Sequence, residues 1–480
     1  MATLPGFPDD ALPDLDPSWL SVPAGLAAAG LVLRYAPLSP DAATMLAITV
    51  FSICLWIGAP VEPWFTGLLA LGLVGVTFST ELALVGFRSP ATWLVVLGIL
   101  LGEATSRSGL ASLVERYSLR ALARRGTGDA RAAYRFLLAA LSAAALGLVV
   151  LVPSSLVRVL ILGPILVSVG GVFTERRPKI GLFLGPLFVT YYGGTGVLTG
   201  SLANIIITGL VEANAGLSIG WVEWAMWLGP VMAVGRSVAI ALVAYVLYRP
   251  RDADAVSAPE ADDDGAYPGE AGGTEIEVSG EQWRMLAFLL VGVAIWATDS
   301  LHGLHPFYGA LVVTLLAFAP RIGVVGPDAL ADADFSIAFF LGAIFAIAEG
   351  LRRTAFTDLA AGAILSRLPE GAPLALVLAF VVVAAIALTF LMEGLAVASV
   401  LTPVLVPFAA GAGVPLLPVA LVEAVALNTY FFPYQSAVLV AILGLDVVDS
   451  RELIRMATVC SLVTLLVLVP IQIGIFVVAL

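Results

Sequence analysis

The chain has 480 residues, of which 60% are hydrophobic and 12% are charged, and its net charge is −12. An ordinary soluble domain carries roughly 25% charged residues, so this composition excludes a water-soluble fold. Apolar runs of about 17–25 residues recur along the chain, which is the length of a helix that spans a bilayer. These runs do not alternate with polar residues as the strands of a transmembrane barrel do. The composition therefore predicts an all-α polytopic membrane protein.

Hydropathy divides the chain into two halves. A polar N-terminal tail, 1–19, precedes the first half, 20–247, and the second half covers 284–480. The predicted spans are 20–36, 42–57, 62–80, 91–108, 133–172, 179–214, 221–247, 284–302, 306–320, 334–352, 372–410, 415–443 and 452–479. Between the halves, 248–283 is rich in Asp, Glu, Gly and Pro. Because such a segment cannot bury a core, it is predicted to be a disordered acidic linker.

Four predicted spans contain interruptions, at matching positions of the two halves. The segments 133–172 and 372–410 are predicted re-entrant hairpins, with tips at Val152-Pro153-Ser154-Ser155 and Met392-Glu393-Gly394. The spans 179–214 and 415–443 are broken by Tyr192–Asn204 and Asn428–Ser436. Paired interruptions of this kind indicate the binding site of a secondary transporter. Helix packing through small residues, or proline kinks alone, is the alternative interpretation.

The distribution of arginine predicts the orientation. With a cytoplasmic N-terminus, the outside loops hold only Arg34, Arg88, Arg352, Arg353 and Arg367, and the remaining loop arginines lie inside. This asymmetry follows the positive-inside rule. It predicts about eleven transmembrane helices in the cell membrane, two repeats of inverted topology, and a cytoplasmic linker.

At these residues the chain resembles the divalent anion:sodium symporter family, which carries dicarboxylates, citrate or sulfate. The resemblance extends from Leu55-Trp56-Ile57-Gly58-Ala59-Pro60, through the Gly-Gly-Thr-Gly break, to the last helix. It implies secondary active transport of a small divalent anion by alternating access, with sodium as the coupling ion and no other cofactor. The resemblance also implies a homodimer, a small anionic substrate as the partner, and no nucleic acid.

The resemblance also implies the site residues. The first sodium site falls on Ser154, on Ser155 in place of the family's asparagine, and on the backbone of Gly200. The second falls on Thr389, Glu393, Gly394 and the backbone of Phe431. The implied substrate-binding residues are Ser154, Ser155, Arg158, Thr199, Ser201, Asn204, Gly394, Pro433 and Gln435.

Two charged residues stand where the family is neutral, and an ionisable residue within a membrane is by default a functional candidate. Arg158 could supply a fixed positive charge in place of a sodium ion, and Glu393 could be a sodium ligand or a proton carrier. Alternatively, the two residues form an ion pair that bridges the site. Arg236 lies within a span, where snorkelling or pairing is expected. Trp221, Trp224 and Trp227 are interpreted as an interfacial belt.

Other functions remain as alternatives to sodium symport. The same fold could be a proton-coupled carrier, a sodium-independent anion exchanger or an anion channel. An intramembrane hydrolase would need a histidine beside Ser154 and Ser155. Neither His302 nor His305 lies in a broken helix, and no nucleophile motif occurs. We therefore expect the protein not to be an enzyme.

Overall fold

The structure, a computed structural model, describes residues 17–110, 112–125, 129–251, 278–369 and 371–480. The N-terminal residues 1–16 and the greater part of the predicted linker, 252–277, lie outside the described residues. The described residues fold into helices that are joined by short turns.

Short polar sequences at the ends of the apolar runs begin the helices. Ser39 and Ser89 each precede a proline at the first helical position, and each side chain accepts a hydrogen bond from a backbone N–H of the first turn. Proline is favoured there because that position has no N–H to satisfy, and its backbone angle already suits a helix. Ser279 and Gln282 form a capping box at the start of the second half.

The first half begins with a set of leading helices. These are α1 Ser21–Tyr35, α2 Pro40–Gly58, α3 Pro63–Thr77, α4 Thr80–Ala83 and α5 Pro90–Arg107. The first half continues with α6 Ser112–Arg125, hairpin 1 formed by α7 Ala130–Leu151 and α8 Ser155–Gly170, and a broken span formed by α9 Arg176–Tyr192 and α10 Leu202–Ala215. It ends with α11 Trp221–Leu228, a π-helical turn Gly229–Gly235, and α12 Arg236–Tyr248.

The second half repeats the same order of elements. Its leading helices are α13 Gly280–Ala297, α14 Asp299–His302, α15 Pro306–Ala317, α16 Pro327–Asp332 and α17 Ser336–Arg353. After α18 Phe356–Leu365 come hairpin 2, α19 Leu374–Thr389 and α20 Gly394–Ala412, and a second broken span, α21 Leu416–Leu427 and α22 Ala437–Leu443. The chain closes with α23 Ser450–Val463, a π-helical turn Thr464–Leu468, and α24 Val469–Ala479.

Helix lengths agree with a multi-pass membrane protein. Five described helices are long and apolar enough to cross a membrane: Pro40–Gly58, Ala130–Leu151, Trp221–Tyr248, Gly394–Ala412 and Ser450–Ala479. The shorter apolar helices include α8, α10, α19 and α21, each of which is one arm of a hairpin or one part of a broken span. They are short because the interruptions stop the helix partway through the span. The predicted all-α polytopic fold is confirmed.

The packing brings the interruptions of both halves together. The arms α7 and α8 pack on α9, and the arms α19 and α20 pack on α21. Helix α10 connects the halves, since it packs against both α20 and α5. As a result, the two hairpin tips and the two breaks meet in one region.

The first break depends on a glycine with no room for a side chain. A Cβ on Gly196 would lie 2.3 Å from the backbone nitrogen of Ala233 and 2.6 Å from its Cβ. We therefore expect Gly196→Ala to lower the stability of the protein by ~1–3 kcal/mol through overpacking. Gly72→Ala is the control, because nothing lies within 4 Å of its added Cβ. Thermal unfolding in detergent would measure both, and equal unfolding temperatures for the two variants would contradict this packing argument.

Candidate substrate site

A cavity of about 440 Å³ lies between the hairpin tips and the breaks. This volume is within the range of pockets that hold small ligands. Its polar lining comes from both halves and includes Ser154, Ser155, Ser201, Glu393, Asn428 and Ser436. Apolar side chains of α5 and α17 form a wall, and Glu103, Asp332 and Asp334 also line it. The cavity is thus a largely apolar space into which a few polar groups of both halves project.

Several helices begin at this cavity. They include α8, α10 and α20, whose first residues are Ser155, Leu202 and Gly394. The first turn of a helix has backbone N–H groups without intrahelical partners and carries the positive end of the helix dipole. Helix N-termini that meet in a cavity therefore favour an anion.

Arg158 is fully buried behind the tip of hairpin 1, with 0% of its surface exposed. Its Nε donates to Thr190 Oγ1 at 2.9 Å. Its Nη2 donates to the carbonyl oxygens of Thr190 at 3.0 Å and Gly200 at 2.6 Å, and to Ser155 Oγ at 3.2 Å, while Nη1 donates to the carbonyl of Val152. All five acceptors are uncharged oxygens, so no acid neutralises the guanidinium within this network.

The same oxygens include groups of the predicted first sodium site. Gly200 O accepts from Arg158 and also from Ser155 Oγ, at 3.0 Å. Hydroxyl and carbonyl oxygens around a buried position are the ligands that a hard cation prefers. The guanidinium therefore donates hydrogen bonds to oxygens that the family resemblance assigns to the first sodium site. It lies behind the cavity wall and does not line the cavity.

Glu393 does not form the expected bridge with Arg158. Its Oε2 instead accepts hydrogen bonds from the backbone N–H groups of Leu395, at 2.8 Å, and Ala396, at 3.4 Å. The carboxylate thus caps the N-terminus of its own helix, α20. The interpretation of the two charges as a structural ion pair is wrong. Arg158 donates to hydroxyl and carbonyl oxygens of the first half, whereas Glu393 accepts from backbone N–H groups of the second half.

The oxygens of the predicted second sodium site are also engaged. Gln435 Nε2 donates to the carbonyl oxygen of Thr389 at 2.9 Å and to its Oγ1 at 3.2 Å. Gln435 Oε1 accepts from the backbone N–H groups of Phe431 and Phe432, at 2.7 and 2.8 Å. A neutral amide therefore links the tip of hairpin 2 to the second break. Gly394 packs against this region, since an added Cβ would lie 2.3 Å from the hydroxyl of Tyr430.

Two asparagines hold the breaks together. Asn204 Nδ2 donates to the carbonyl oxygens of Gly194, Thr195 and Val197, at 3.1, 3.3 and 2.9 Å. Asn428 Nδ2 donates to Asn204 Oδ1 at 3.1 Å, and Asn428 Oδ1 accepts from Ser201 Oγ at 2.7 Å. Side-chain amides thus satisfy backbone groups that no helix satisfies at this depth.

The predicted site residues fall into two groups. Ser154, Ser155, Ser201 and Glu393 line the cavity. The others surround it without lining it: Arg158, Thr199, Gly200, Asn204, Thr389, Gly394, Phe431, Pro433 and Gln435. Their roles in binding substrate or cation stay predictions.

Arg236, for which the sequence analysis expects snorkelling or pairing, is a second buried arginine. Arg236 has 0% of its surface exposed, so the expected snorkelling is wrong. Its Nη2 donates to the carbonyl of Asn428 at 2.9 Å and to Thr429 Oγ1 at 3.0 Å, and its Nη1 donates to Thr195 Oγ1 at 3.1 Å. The guanidinium lies 4.6 Å from the ring centroid of Tyr192. Arg236 therefore ties the two breaks together.

The tryptophan cluster is also placed differently from the prediction. Trp224 is fully buried, and its Nε1 donates to the carbonyl of Thr195 at 3.0 Å. Trp221 Nε1 donates to Thr199 Oγ1 at 3.1 Å. These two residues support the first break, so the interfacial belt is wrong for them.

Among the cavity residues that were not predicted as site residues, four are polar residues of the two broken spans. They are Tyr191, Asn428, Tyr430 and Ser436. Ser436 immediately precedes α22, as Ser201 immediately precedes α10, so the internal repeat itself could have identified it. Tyr191 donates to Ser436 Oγ across the two halves.

Comparison with curated proteins gives matches that span about half the length of those relatives. The citrate/succinate antiporter of Escherichia coli K12 is 24% identical over 271 residues, which are 55% of this chain and 54% of that protein. A membrane protein of Cupriavidus necator is 26% identical over 312 residues, with 58% and 56% covered. The putative malate transporter YflS of Bacillus subtilis is 28% identical over 242 residues, with 46% and 48% covered.

Solved structures support the fold. The YdaH transporter of Alcanivorax borkumensis has a TM-score of 0.54 at 16% identity, with 87% of this chain and 98% of that chain covered. MtrF of Neisseria gonorrhoeae has a TM-score of 0.51 at 16% identity, with 95% and 98% covered. At this identity the likeness concerns the fold alone. A family model described as the sodium:sulfate symporter transmembrane region matches residues 26–478. The chain therefore belongs to the sodium:sulfate symporter family, a family of transporters and not of enzymes, and is a multi-pass membrane protein.

Proposed function

We propose that the protein exchanges small di- or tricarboxylate anions across the membrane without sodium coupling. The observation that carries this proposal is the position of Arg158, whose guanidinium donates to Gly200 O and Ser155 Oγ of the predicted first sodium site. A permanent cation of the chain there makes a mobile cation unnecessary for binding an anion. We therefore favour exchange over the sodium symport that the family resemblance implies.

The substrate class rests on the cavity and on the relatives. Helices α8 and α10 begin at the cavity and favour an anion. The relatives named above are a citrate/succinate antiporter and a putative malate transporter. A cavity of about 440 Å³ accommodates anions of this size. Sulfate, which the family description names, is the alternative substrate.

A fixed cation also accounts for obligate exchange. A sodium ion can leave its site, so that an empty carrier returns without charge. Arg158 cannot leave, and moving an uncompensated charge through the membrane is costly. A bound anion offsets the charge of Arg158, so the carrier changes its orientation more readily with an anion bound than when it is empty. This preference couples inward movement of one anion to outward movement of another.

The moving parts follow from the repeated order of helices. We propose that the hairpins and broken spans, together with α12 and α23, move against a scaffold of α1–α5 and α13–α17. The N-terminus is proposed to be cytoplasmic, and the protein is proposed to be a homodimer through its scaffold. Saturable flux with counterflow would separate this carrier from a channel of the same fold.

Uptake into proteoliposomes tests the proposal. Labelled succinate, citrate and sulfate are supplied outside, in buffers with sodium or with N-methylglucamine and with or without a proton gradient. We expect uptake of a carboxylate that requires unlabelled anion inside and is equal in both buffers. Uptake into liposomes without internal anion, driven by a sodium or proton gradient, would contradict exchange. Uptake of sulfate alone would contradict the carboxylate class.

A further inference from the structure

We infer that the tip of hairpin 2 selects carboxylate substrates that carry a hydroxyl or ammonium group, and discriminates against plain dicarboxylates. The inference rests on the proposed function, because it concerns the same cavity. It follows from the hydrogen bonds of Glu393 and from the surroundings of its carboxylate.

Glu393 presents an unused hydrogen-bond acceptor to the cavity. Its Oε2 accepts from the N–H groups of Leu395 and Ala396. Its Oε1 accepts no hydrogen bond from the described residues, and Glu393 lines the cavity. Carboxylate oxygens accept hydrogen bonds and cannot donate them when ionised. A substrate atom that contacts Oε1 favourably must therefore be a donor.

No basic side chain neutralises Glu393 among the described cavity residues. The lining contains neither Lys nor Arg. Arg158 and Arg236 are both buried outside the lining, and they donate hydrogen bonds to hydroxyl and carbonyl oxygens. The negative charge of Glu393 therefore acts directly on whatever occupies its end of the cavity.

The two ends of the cavity differ in charge. At hairpin 1, Ser154 and Ser155 lie in front of the Arg158 guanidinium, and α8 begins there, so a substrate carboxylate is favoured. At hairpin 2, Glu393 already takes the N–H groups of Leu395 and Ala396. A carboxylate placed beside Glu393 would meet a like charge. A hydroxyl or ammonium there would form a charge-assisted hydrogen bond, which is about twice as strong as a neutral one.

Three compounds with one carbon skeleton test the inference. Succinate, malate and aspartate are four-carbon dicarboxylates that carry hydrogen, hydroxyl or ammonium on the second carbon. Binding of each to the purified native protein is measured by ligand-dependent thermal stabilisation in detergent, and exchange of each is measured in proteoliposomes. We expect malate and aspartate to bind about tenfold more tightly than succinate, since each supplies a donor for the free carboxylate oxygen.

The variant Glu393→Gln tests the residue. Gln keeps an oxygen that can cap α20 and adds a donor, so we expect succinate to bind more tightly and the difference among the three compounds to fall within about twofold. Glu81→Gln is the matched control, because Glu81 is an exposed acid outside the cavity and should leave the ranking unchanged.

Two results would overturn the inference. One is a native protein that binds succinate at least as tightly as malate and aspartate, which would indicate that Glu393 is protonated and donates to a plain carboxylate. The other is an unchanged ranking in Glu393→Gln. Failure of the proposed function is distinguishable, since it would abolish exchange of all three compounds in the native protein while the binding ranking remains measurable.

Discussion

Arg158→Ala is expected to lower the rate of anion exchange by about 100-fold or more. The substitution leaves buried oxygens of Val152, Thr190 and Gly200 without their donor and removes the only charge in that network. Leaving a buried acceptor without its donor costs ~1–3 kcal/mol for each group. Because the network joins the tip of hairpin 1 to the first break, we expect its loss to displace the residues that line the site. Exchange of labelled citrate or succinate in proteoliposomes measures the loss.

Two comparisons separate a functional loss from misfolding. Free guanidinium ions added to Arg158→Ala should restore part of the exchange, because they fit the vacated oxygens. Arg158→Lys should give an exchange rate between those of the native protein and Arg158→Ala. A single ammonium cannot donate to all of the oxygens that surround the planar guanidinium. Arg88→Ala is the control, as the Arg88 side chain is 70% exposed. Exchange at the native rate in Arg158→Ala would show that the fixed charge has no role.

Arg236→Met is expected to lower the stability of the protein by ~1–3 kcal/mol, with a loss of exchange that follows from it. Arg236 bonds Thr195 of the first break and both Asn428 and Thr429 of the second. Methionine keeps apolar bulk but leaves these oxygens unpaired inside the membrane. Thermal unfolding in detergent measures the change.

The control for this variant is Arg88→Met, which removes an exposed guanidinium. We expect it to change the unfolding temperature little, because exposed ion pairs contribute ~0–1 kcal/mol. If Arg236→Met unfolded at the same temperature as Arg88→Met, the cross-link between the two breaks would not hold the site together.

Much of the architecture could be predicted from local sequence. Pro153 and the serines after it stop α7, and the glycines from Gly193 to Gly200 stop α9, so the tips and breaks lie where composition placed them. The internal repeat supported each assignment, because every interruption has a counterpart in the other half. Breaks of this kind are visible in sequence because they need residues that a lipid-facing helix does not use.

The connections within the site could not be predicted in the same way. The side chain of Arg158 turns back to Thr190 and Gly200, whereas the resemblance placed it at the substrate. Arg236 finds its partners about 190 residues away in the chain, at Asn428 and Thr429. Such pairings depend on how the two repeats pack, which hydropathy does not encode. Snorkelling was therefore a reasonable expectation for Arg236 from its span alone, and it was wrong.

In the proposed transport cycle, Arg158 takes the place of a coupling sodium ion. Parallel uptake of labelled sodium and labelled citrate or succinate by the same proteoliposomes tests it most directly. We predict that anion enters in exchange for internal anion while protein-dependent sodium uptake stays at the level of protein-free liposomes. Sodium that enters in a fixed ratio to the anion would contradict the claim, because a mobile cation would then be part of the transport cycle.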